Sequence, residues 1–275
     1  MSESILNNKE IVVIGAGNIG QILVKRLREC GTPAGHLTIC DSNIERAETL
    51  TGKYGVRKAT LSDEMIHTAD AILLATPPKA VLEMLENSRK QLRAGQTVIS
   101  FAAAVPLERL ESLLPEGVTA VRVMPNAPSF VGAGLNPVAF GRKSAKEGRD
   151  LALAILTCLG DMLEVSDDLM NWCVGLSGAA MRSLVPVLEG MIQAGLEAGL
   201  SAGDARKVAS QVMAGTAALV RLTNLTLDEI KSMTPMQTVD EGAVAQIFWL
   251  AARGAKEKID QLQEKIVQTA SRTNE

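Results

Sequence analysis

The segment 11-IVVIGAGNIG-20 decides how this chain is read: four apolar residues run into three glycines at the spacing G-x-G-x-x-G. Each glycine has its own physical reason. Gly15 permits a tight strand-to-helix turn, Gly17 lets the backbone approach a pyrophosphate with no side chain between, and Gly20 lets the new helix pack closely on the strand. The helix start presents unpaired N–H groups and a positive dipole end to the anion, so no basic side chain is required. The context favours a dinucleotide site over a glycine-rich turn that binds nothing. Residues 11–14 read as a buried strand, 21–29 as an amphipathic helix and 37–40 as a second strand closing on Asp41, 21 residues after Gly20, where a ribose-binding acid is expected. Asp41 suits a ribose diol and repels a 2′-phosphate, which favours NADH. Ser42, Asn43 and Arg46 offer a phosphate cradle beside it and keep NADP open.

Outward from this segment, short apolar runs alternate with helical patterns, the signature of a Rossmann-type α/β domain with a mostly parallel sheet. Strands are expected at 11–14, 37–40, 71–75, 97–100, 119–123 and 136–140, and further helices at 44–54, 79–91, 107–113 and 144–159. Prolines 77, 78, 106, 115, 125, 128 and 137 are expected at the ends of these units. From Asp167 onward the pattern is helical, at 169–198, 201–224 and 239–270, with Ser201 ahead of Asp204 as a capping box and 225–227 as a short connection. The expected boundary lies near 164–166, between a dinucleotide-binding domain over 1–164 and an all-helical dimerisation and substrate domain over 165–275 with a frayed tail at 268–275. Leu219, Val220, Ile247, Phe248, Trp249 and Leu250 offer more apolar area than a lone three-helix unit hides, so a homodimer or larger homo-oligomer is expected.

Composition narrows the function classes. Charge is near balance, with 28 Lys and Arg against 31 Asp and Glu interspersed, which leaves no footprint for nucleic acid or an anionic membrane; a small-molecule partner is expected. Cys30, Cys40, Cys158 and Cys173 show no C-x-x-C spacing and read as reduced thiols of a cytoplasmic protein. The start MSESILNNKE carries acids and no apolar segment, so no signal peptide is expected, and no run reaches the ~18 apolar residues of a membrane span. No metal spacing joins the cysteines, the acids and the two histidines, His36 and His67, which are expected at the surface.

The segment 122-RVMPNAPSFVGAG-134 resembles the pyrroline-5-carboxylate reductase family, whose members carry R-x-M-P-N-T-P and a closing glycine. The likeness extends over nearly the whole chain, through VISFAAAVPLERLE and LEGMIQAGLEAGLSAGDARKVASQVMAGTAAL. It implies an NAD- or NADP-dependent reductase that adds hydride to the C=N of a cyclic imino acid, giving proline. A protonated imine is already electrophilic, so such a protein mainly sets the hydride against the imine carbon and holds the carboxylate. The cofactor residues implied are Gly15, Gly17, Asn18, Ile19, Gly20, Asp41, Ser42, Thr76, Pro77, Ala102, Met124, Pro125 and Asn126. Pro125 and Pro128 stiffen a loop after a strand; Asn126 offers donor and acceptor beside the nicotinamide edge, or closes a turn. Thr76-Pro77-Pro78 follows another strand at its carboxyl end, where open α/β sheets bind ligands, and the family shows lysine where Thr76 stands.

Two segments that carry substrate in the family are altered. The family's S-G-S-G-P-A lies twelve residues before a glutamate; Ser177 and Glu189 keep that distance, but the text reads SGAAMR. The S-P-G-G-T-T loop becomes Thr234-Pro235-Met236-Gln237-Thr238-Val239, so two glycines are bulky and the threonine that faces the imine in the family is Val239. Ser177, Gly178, Arg182, Gln237, Thr238 and Val239 are the expected substrate contacts, with Thr238, Asn126 and Ser177 the expected catalytic residues. Bulky residues restrict φ and fill space where backbone N–H groups would converge on a carboxylate, and losing a hydroxyl removes a donor. A reshaped pocket is expected. Arg182 is either a replacement carboxylate clamp or a solvated helix residue. Asp240 and Glu241 either recognise an amine or open the last helix, and the helix reading is favoured. A hydroxy-acid dehydrogenase would need a lysine early in the helical part, and residues 169–200 contain none. A related imine or 2-oxo-acid oxidoreductase and a non-catalytic dinucleotide-binding regulator stay open as alternatives.

Overall fold

The computed structural model describes residues 5–272; the first four residues of the MSESILNNKE start and residues 273–275 of the expected frayed tail lie outside them. Eight strands form one sheet: β1 (Ile11–Ile14), β2 (Leu37–Cys40), β3 (Arg57–Lys58), β4 (Ala71–Leu74), β5 (Thr97–Ser100), β6 (Thr119–Val123), β7 (Gly134–Phe140) and β8 (Gly160–Glu164). Their order is β3-β2-β1-β4-β5-β6-β7-β8, parallel throughout except where β6 meets β7. Helices α1 (Asn18–Glu29), α2 (Ile44–Tyr54), α3 (Asp63–Thr68), α4 (Pro78–Ser88), α5 (Leu107–Leu113) and α6 (Lys146–Thr157) connect them. Every residue of β1, β2, β4, β5 and β6 is buried, because helices cover both faces and leave no side for polar alternation. One apolar layer gathers Val13, Leu23, Leu27, Leu73 and Ile155, the other Val12, Ile72, Leu85, Val98 and Leu110. Each such side chain stabilises the fold by about 1.5–3 kcal/mol through burial. The chain runs outward from β1 to β3 and returns to β4 on the other side of β1, so the carboxyl ends of β1 and β4 flank the switch point where ligands sit in open sheets.

Several expected boundaries shift for identifiable reasons. The two-residue β3 and the edge strand β8, which carries Asp161 and Glu164, are too short or too exposed to show an apolar pattern. Pro137 stands inside β7, not at an end; pairing with β6 begins at Val138, so its missing N–H breaks no bond to that neighbour. The stretch expected as one helix over 169–198 is broken into α7 (Met170–Cys173), a π-helical turn at Val174–Ala179 and α8 (Ala180–Glu197), with Pro186 inside the last. It is followed by α9 (Ala202–Leu222), α10 (Leu227–Ser232) and α11 (Glu241–Arg272). The expected connection at 225–227 is instead a helix start: Thr226 and Glu229 form a full capping box for α10. The expected frayed tail is helical as far as Arg272.

Two compact units divide the chain, one running to Gly178 and resuming at Arg253, the other Ala179–Ala252. In the second, α8 and α9 form a hairpin. Gly199 takes φ 90, Leu200 N–H bonds the Gly195 carbonyl at 3.0 Å, and the Ser201 hydroxyl accepts from Asp204 N–H at 3.1 Å. A Cβ at Gly195 would stand 3.0 Å from the Ala205 methyl, so small residues set this approach. Ala205 and Ala209 are the buried residues of α9 and α8 has none, while Val220, Ile247, Trp249 and Leu250 are exposed. No helix among the described residues is long and apolar enough to cross a membrane.

Candidate active site

The loops after β2, β1, β4, β5 and β6 share the carboxyl edge of the sheet, a row of about 19 Å at about 4.8 Å per strand. The glycine loop is built as its spacing requires. Gly15 takes φ 106, and a Cβ there would lie 2.6 Å from the Ala75 carbonyl oxygen; a Cβ at Gly20 would lie 1.8 Å from the Gly15 carbonyl oxygen. Gly17, the N-cap of α1, differs: a Cβ there meets nothing within 4 Å and would enter open space in front of the helix start. That space is a cavity of about 380 Å³. Gly15, Gly17, Asn18, Ile19, Asp41, Thr76, Pro77 and Ala102, all expected cofactor residues, line it together with Arg46 and Phe101. Gly20 lies beneath it as a packing residue, and Ser42 lines an adjoining apolar cavity of about 310 Å³ with Cys40, Leu61 and Met84.

The Asp41 carboxylate is fixed by the backbone. Its Oδ2 accepts from Ala16 N–H at 2.6 Å and its Oδ1 from Asn43 N–H at 2.7 Å, which leaves further lone pairs for hydroxyl donors. In the loop after β5, Ala104 is fully buried with φ 64, a left-handed conformation that costs a non-glycine residue about 1–2 kcal/mol.

Met124, Pro125 and Asn126 follow β6 and do not line the first cavity. Asn126 caps the 3-10 turn Ala127–Val131 through its carbonyl, which accepts from Ser129 N–H at 3.0 Å, and not through its side chain. Among the described residues the amide makes long contacts: Nδ2 donates to the Ser177 carbonyl at 3.5 Å and Oδ1 accepts from the Ser129 hydroxyl at 3.4 Å. The π-helical turn lies against this loop, with a Cβ on Gly178 falling 3.6 Å from the Met124 sulfur. The Ser177 hydroxyl donates to the Cys173 carbonyl at 2.8 Å. Single π-turns inside helices are rare and concentrate at functional sites. Asn126, Ser177 and Gly178 are therefore neighbours.

Arg182, Gln237, Thr238 and Val239 belong to the other compact unit and are exposed there. Gln237 Nε2 donates to the Val239 carbonyl at 3.2 Å inside the loop between α10 and α11. Asp240 and Glu241 are used locally, as the helix reading expects. Asp240 Oδ1 accepts from Ala243 N–H at 2.9 Å, and Glu241 lies 3.0 Å from Lys231, raising the pKa of that lysine through their hydrogen bond. His36 pairs with Glu10 at 2.7 Å, and no cluster suited to a metal occurs among the described residues.

Sequence reasoning missed Arg122, Asp167 and Asn171. Arg122 is 1% exposed; it donates from Nη1 to Asp167 Oδ1 and from Nη2 to Asn171 Oδ1, both at 2.9 Å. The available signal was an arginine inside the apolar strand TAVRV, because a guanidinium buried there needs a counterion.

Residues 10–104 match the family described as NADP oxidoreductase coenzyme F420-dependent, and residues 167–271 match pyrroline-5-carboxylate reductase dimerisation. A pyrroline-5-carboxylate reductase from Mycobacterium leprae is 30% identical over 76% of this chain and 73% of its own. Another from Corynebacterium melassecola is 28% identical over 92% of this chain and 98% of its own. A crystal structure of the Plasmodium falciparum pyrroline carboxylate reductase with NADP bound superimposes with a TM-score of 0.82 at 18% identity, covering 94% of this chain and 99% of that one, a likeness of fold.

Proposed function

Since this chain belongs to the pyrroline-5-carboxylate reductase family, we propose that it reduces the C=N bond of a cyclic imino acid with a nicotinamide dinucleotide, most concretely pyrroline-5-carboxylate to proline. The observation that carries this reading is the cradle at the start of α1, where a Cβ on Gly17 would fill the space that a pyrophosphate requires. When bound, the reduced nicotinamide supplies the hydride. The protein's share is binding and orientation. The α1 N–H groups would hold the pyrophosphate beside Gly15, Asn18 and Ile19, with Thr76 and Pro77 also lining the cavity. Asp41 accepts from the ribose diol, and its charge beside the site of a 2′-phosphate makes NADH the preferred cofactor over NADPH. Ala102, Met124, Pro125 and Asn126 orient the nicotinamide end. Substrate contacts are assigned to Ser177, Gly178, Arg182, Gln237, Thr238 and Val239. Arg182 clamps the carboxylate, and the Thr238 hydroxyl is the donor that the loop retains in place of the one lost at Val239. The exposed apolar side chains of the helical unit support pairing of two copies as a homodimer or a larger homo-oligomer.

Met236, Gln237 and Val239 favour a second reading, in which a related imine is the substrate. The test mixes purified protein and NADH or NADPH with pyrroline-5-carboxylate, other cyclic and open-chain imines and 2-oxo acids, following loss of the reduced cofactor. Proline formation is the expected result. Turnover confined to another imine selects the second reading; cofactor binding without turnover on any substrate overturns both and leaves a dinucleotide-binding regulator.

A further inference from the structure

One polar cluster joins four segments that are far apart in the chain. Arg122 stands next to the end of β6, two residues before Met124, and its two terminal nitrogens are held by Asp167 and Asn171. The other oxygen of Asp167 accepts from Leu107 N–H at 2.9 Å, which anchors the start of α5 and the end of the loop carrying Ala102 and the strained Ala104. Asn171 Nδ2 donates to Asp260 Oδ1 at 3.0 Å and to Gln263 Oε1 at 3.1 Å, which draws the last part of α11 into the cluster. Lys256 pairs with the second oxygen of Asp260 at 2.5 Å and lies 5.7 Å from the Trp172 ring. The continuous segment of α7 and the π-helical turn is thus tied to the β6 strand and its loop at two points, by Asn171 of α7 to Arg122 and by the Ser177 carbonyl of the turn to Asn126.

Apolar packing alone would hold these segments together without fixing their angle, whereas hydrogen bonds to a planar guanidinium are directional. Burying a guanidinium is costly, and apolar residues of the same volume often match a buried ion pair in stability. Orientation is what the charged cluster adds. We propose that Asp167 and Asn171, acting through Arg122, are positioning residues that set the Met124–Asn126 loop and the Ser177 turn in register, with Asp260 and Gln263 of α11 as their outer support. This assignment rests on the reading of that loop as the nicotinamide side of the site.

Asn171→Leu and Asp260→Leu test it in the full-length protein, the second at a partly exposed position where folding is safer. Three quantities are measured: amide hydrogen exchange without cofactor, the Kd for NADH, and kcat and KM with pyrroline-5-carboxylate. The expected result is exchange on the order of tenfold faster at 174–179 and 127–131 with β1 unchanged, kcat lower on the order of tenfold, and the Kd for NADH within about twofold of wild type. Unchanged exchange at both turns overturns the proposal, as does faster exchange with wild-type kcat. A parallel loss of exchange protection throughout the unit, with NADH binding lost, also overturns it, because the cluster would then be holding up the fold alone. If wild type turns over no imino acid, the functional reading fails, and the exchange measurement still decides whether the cluster orders these two turns.

Discussion

Gly17→Ala and Gly20→Ala separate what the glycine motif does for the fold from what it does for the ligand. Gly17 sits at φ −70, ψ −167, which alanine adopts freely, and its Cβ would touch nothing within 4 Å. The stability cost is then only the poorer N-cap, about 0.5–1 kcal/mol, and a fall in Tm of about 1–4 °C. In the cavity the same methyl stands where phosphate oxygens would meet the α1 N–H groups. Losing one or two hydrogen bonds to a charged phosphate, each worth about 1.5–3 kcal/mol, gives about 3 kcal/mol, or a Kd weaker on the order of 100-fold. Gly20 is the reverse case: its Cβ would lie 1.8 Å from a backbone oxygen that has nowhere to go. Overpacking of this kind costs about 1–3 kcal/mol or more, so its Tm falls further than that of Gly17→Ala. Thermal melts without cofactor and a fluorescence titration with NADH read the two effects separately. NADH affinity within twofold of wild type in Gly17→Ala, or destabilisation equal to that of Gly20→Ala, would refute the reasoning.

Four further outcomes are expected. Asp41→Ser removes the charge that faces a 2′-phosphate and raises kcat/KM for NADPH relative to NADH by about tenfold or more, about 1.4 kcal/mol; an unchanged ratio assigns cofactor choice elsewhere. Met236→Gly, Gln237→Gly and Val239→Thr combined restore small residues and a hydroxyl, and activity on pyrroline-5-carboxylate rises if this loop limits it; no gain points to a different natural substrate. Burial pushes the Cys40 thiol up to about 11, raises Cys173, and, with the adjacent Cys30 thiol, raises Cys158, so iodoacetamide at pH 8 labels the exposed Cys30 alone. Labelling of a second thiol in folded protein contradicts that. Burial pushes the Asp260 carboxyl up, but hydrogen bonds from Lys256 and Asn171 and the Lys256 charge outweigh it and hold the pKa below the usual range. Its contribution to stability is therefore present above about pH 4 and lost as pH falls through the folded-state value. Calorimetry should find a Tm gap between wild type and Asp260→Asn at pH 6 that closes below about pH 4; a gap independent of pH rejects the assignment.

The parallel sheet was legible because strands buried on both faces are written as continuous apolar runs: β1, β2, β5 and β6 stand where those runs stand. Exposed elements were not. β3 and β8 lie at the sheet edges, where pairing and not burial makes the strand. The π-helical turn was illegible for another reason: VGLSGA has the apolar content of an ordinary helix, and widening by one residue per turn leaves no compositional trace. On the ligand side, the glycine loop, Asp41 and Thr76, each read from its place after a strand, line one cavity, and Ala102, which the resemblance implied, lines it too.

By itself, the sequence determined the Rossmann-type sheet, the glycine cradle and the helical second half, since all three depend on local spacing and on apolar periodicity. Only the tertiary structure decided that Arg122, Asp167, Asn171 and Asp260 form one cluster, and that Asn126 and Ser177 are neighbours. Those pairings span 45 to 89 positions along the chain for the cluster and 51 for Asn126 with Ser177. The physical reason is that a hydrogen bond needs its partners within about 3 Å whatever their separation in sequence, and that proximity comes from the packed sheet and helices.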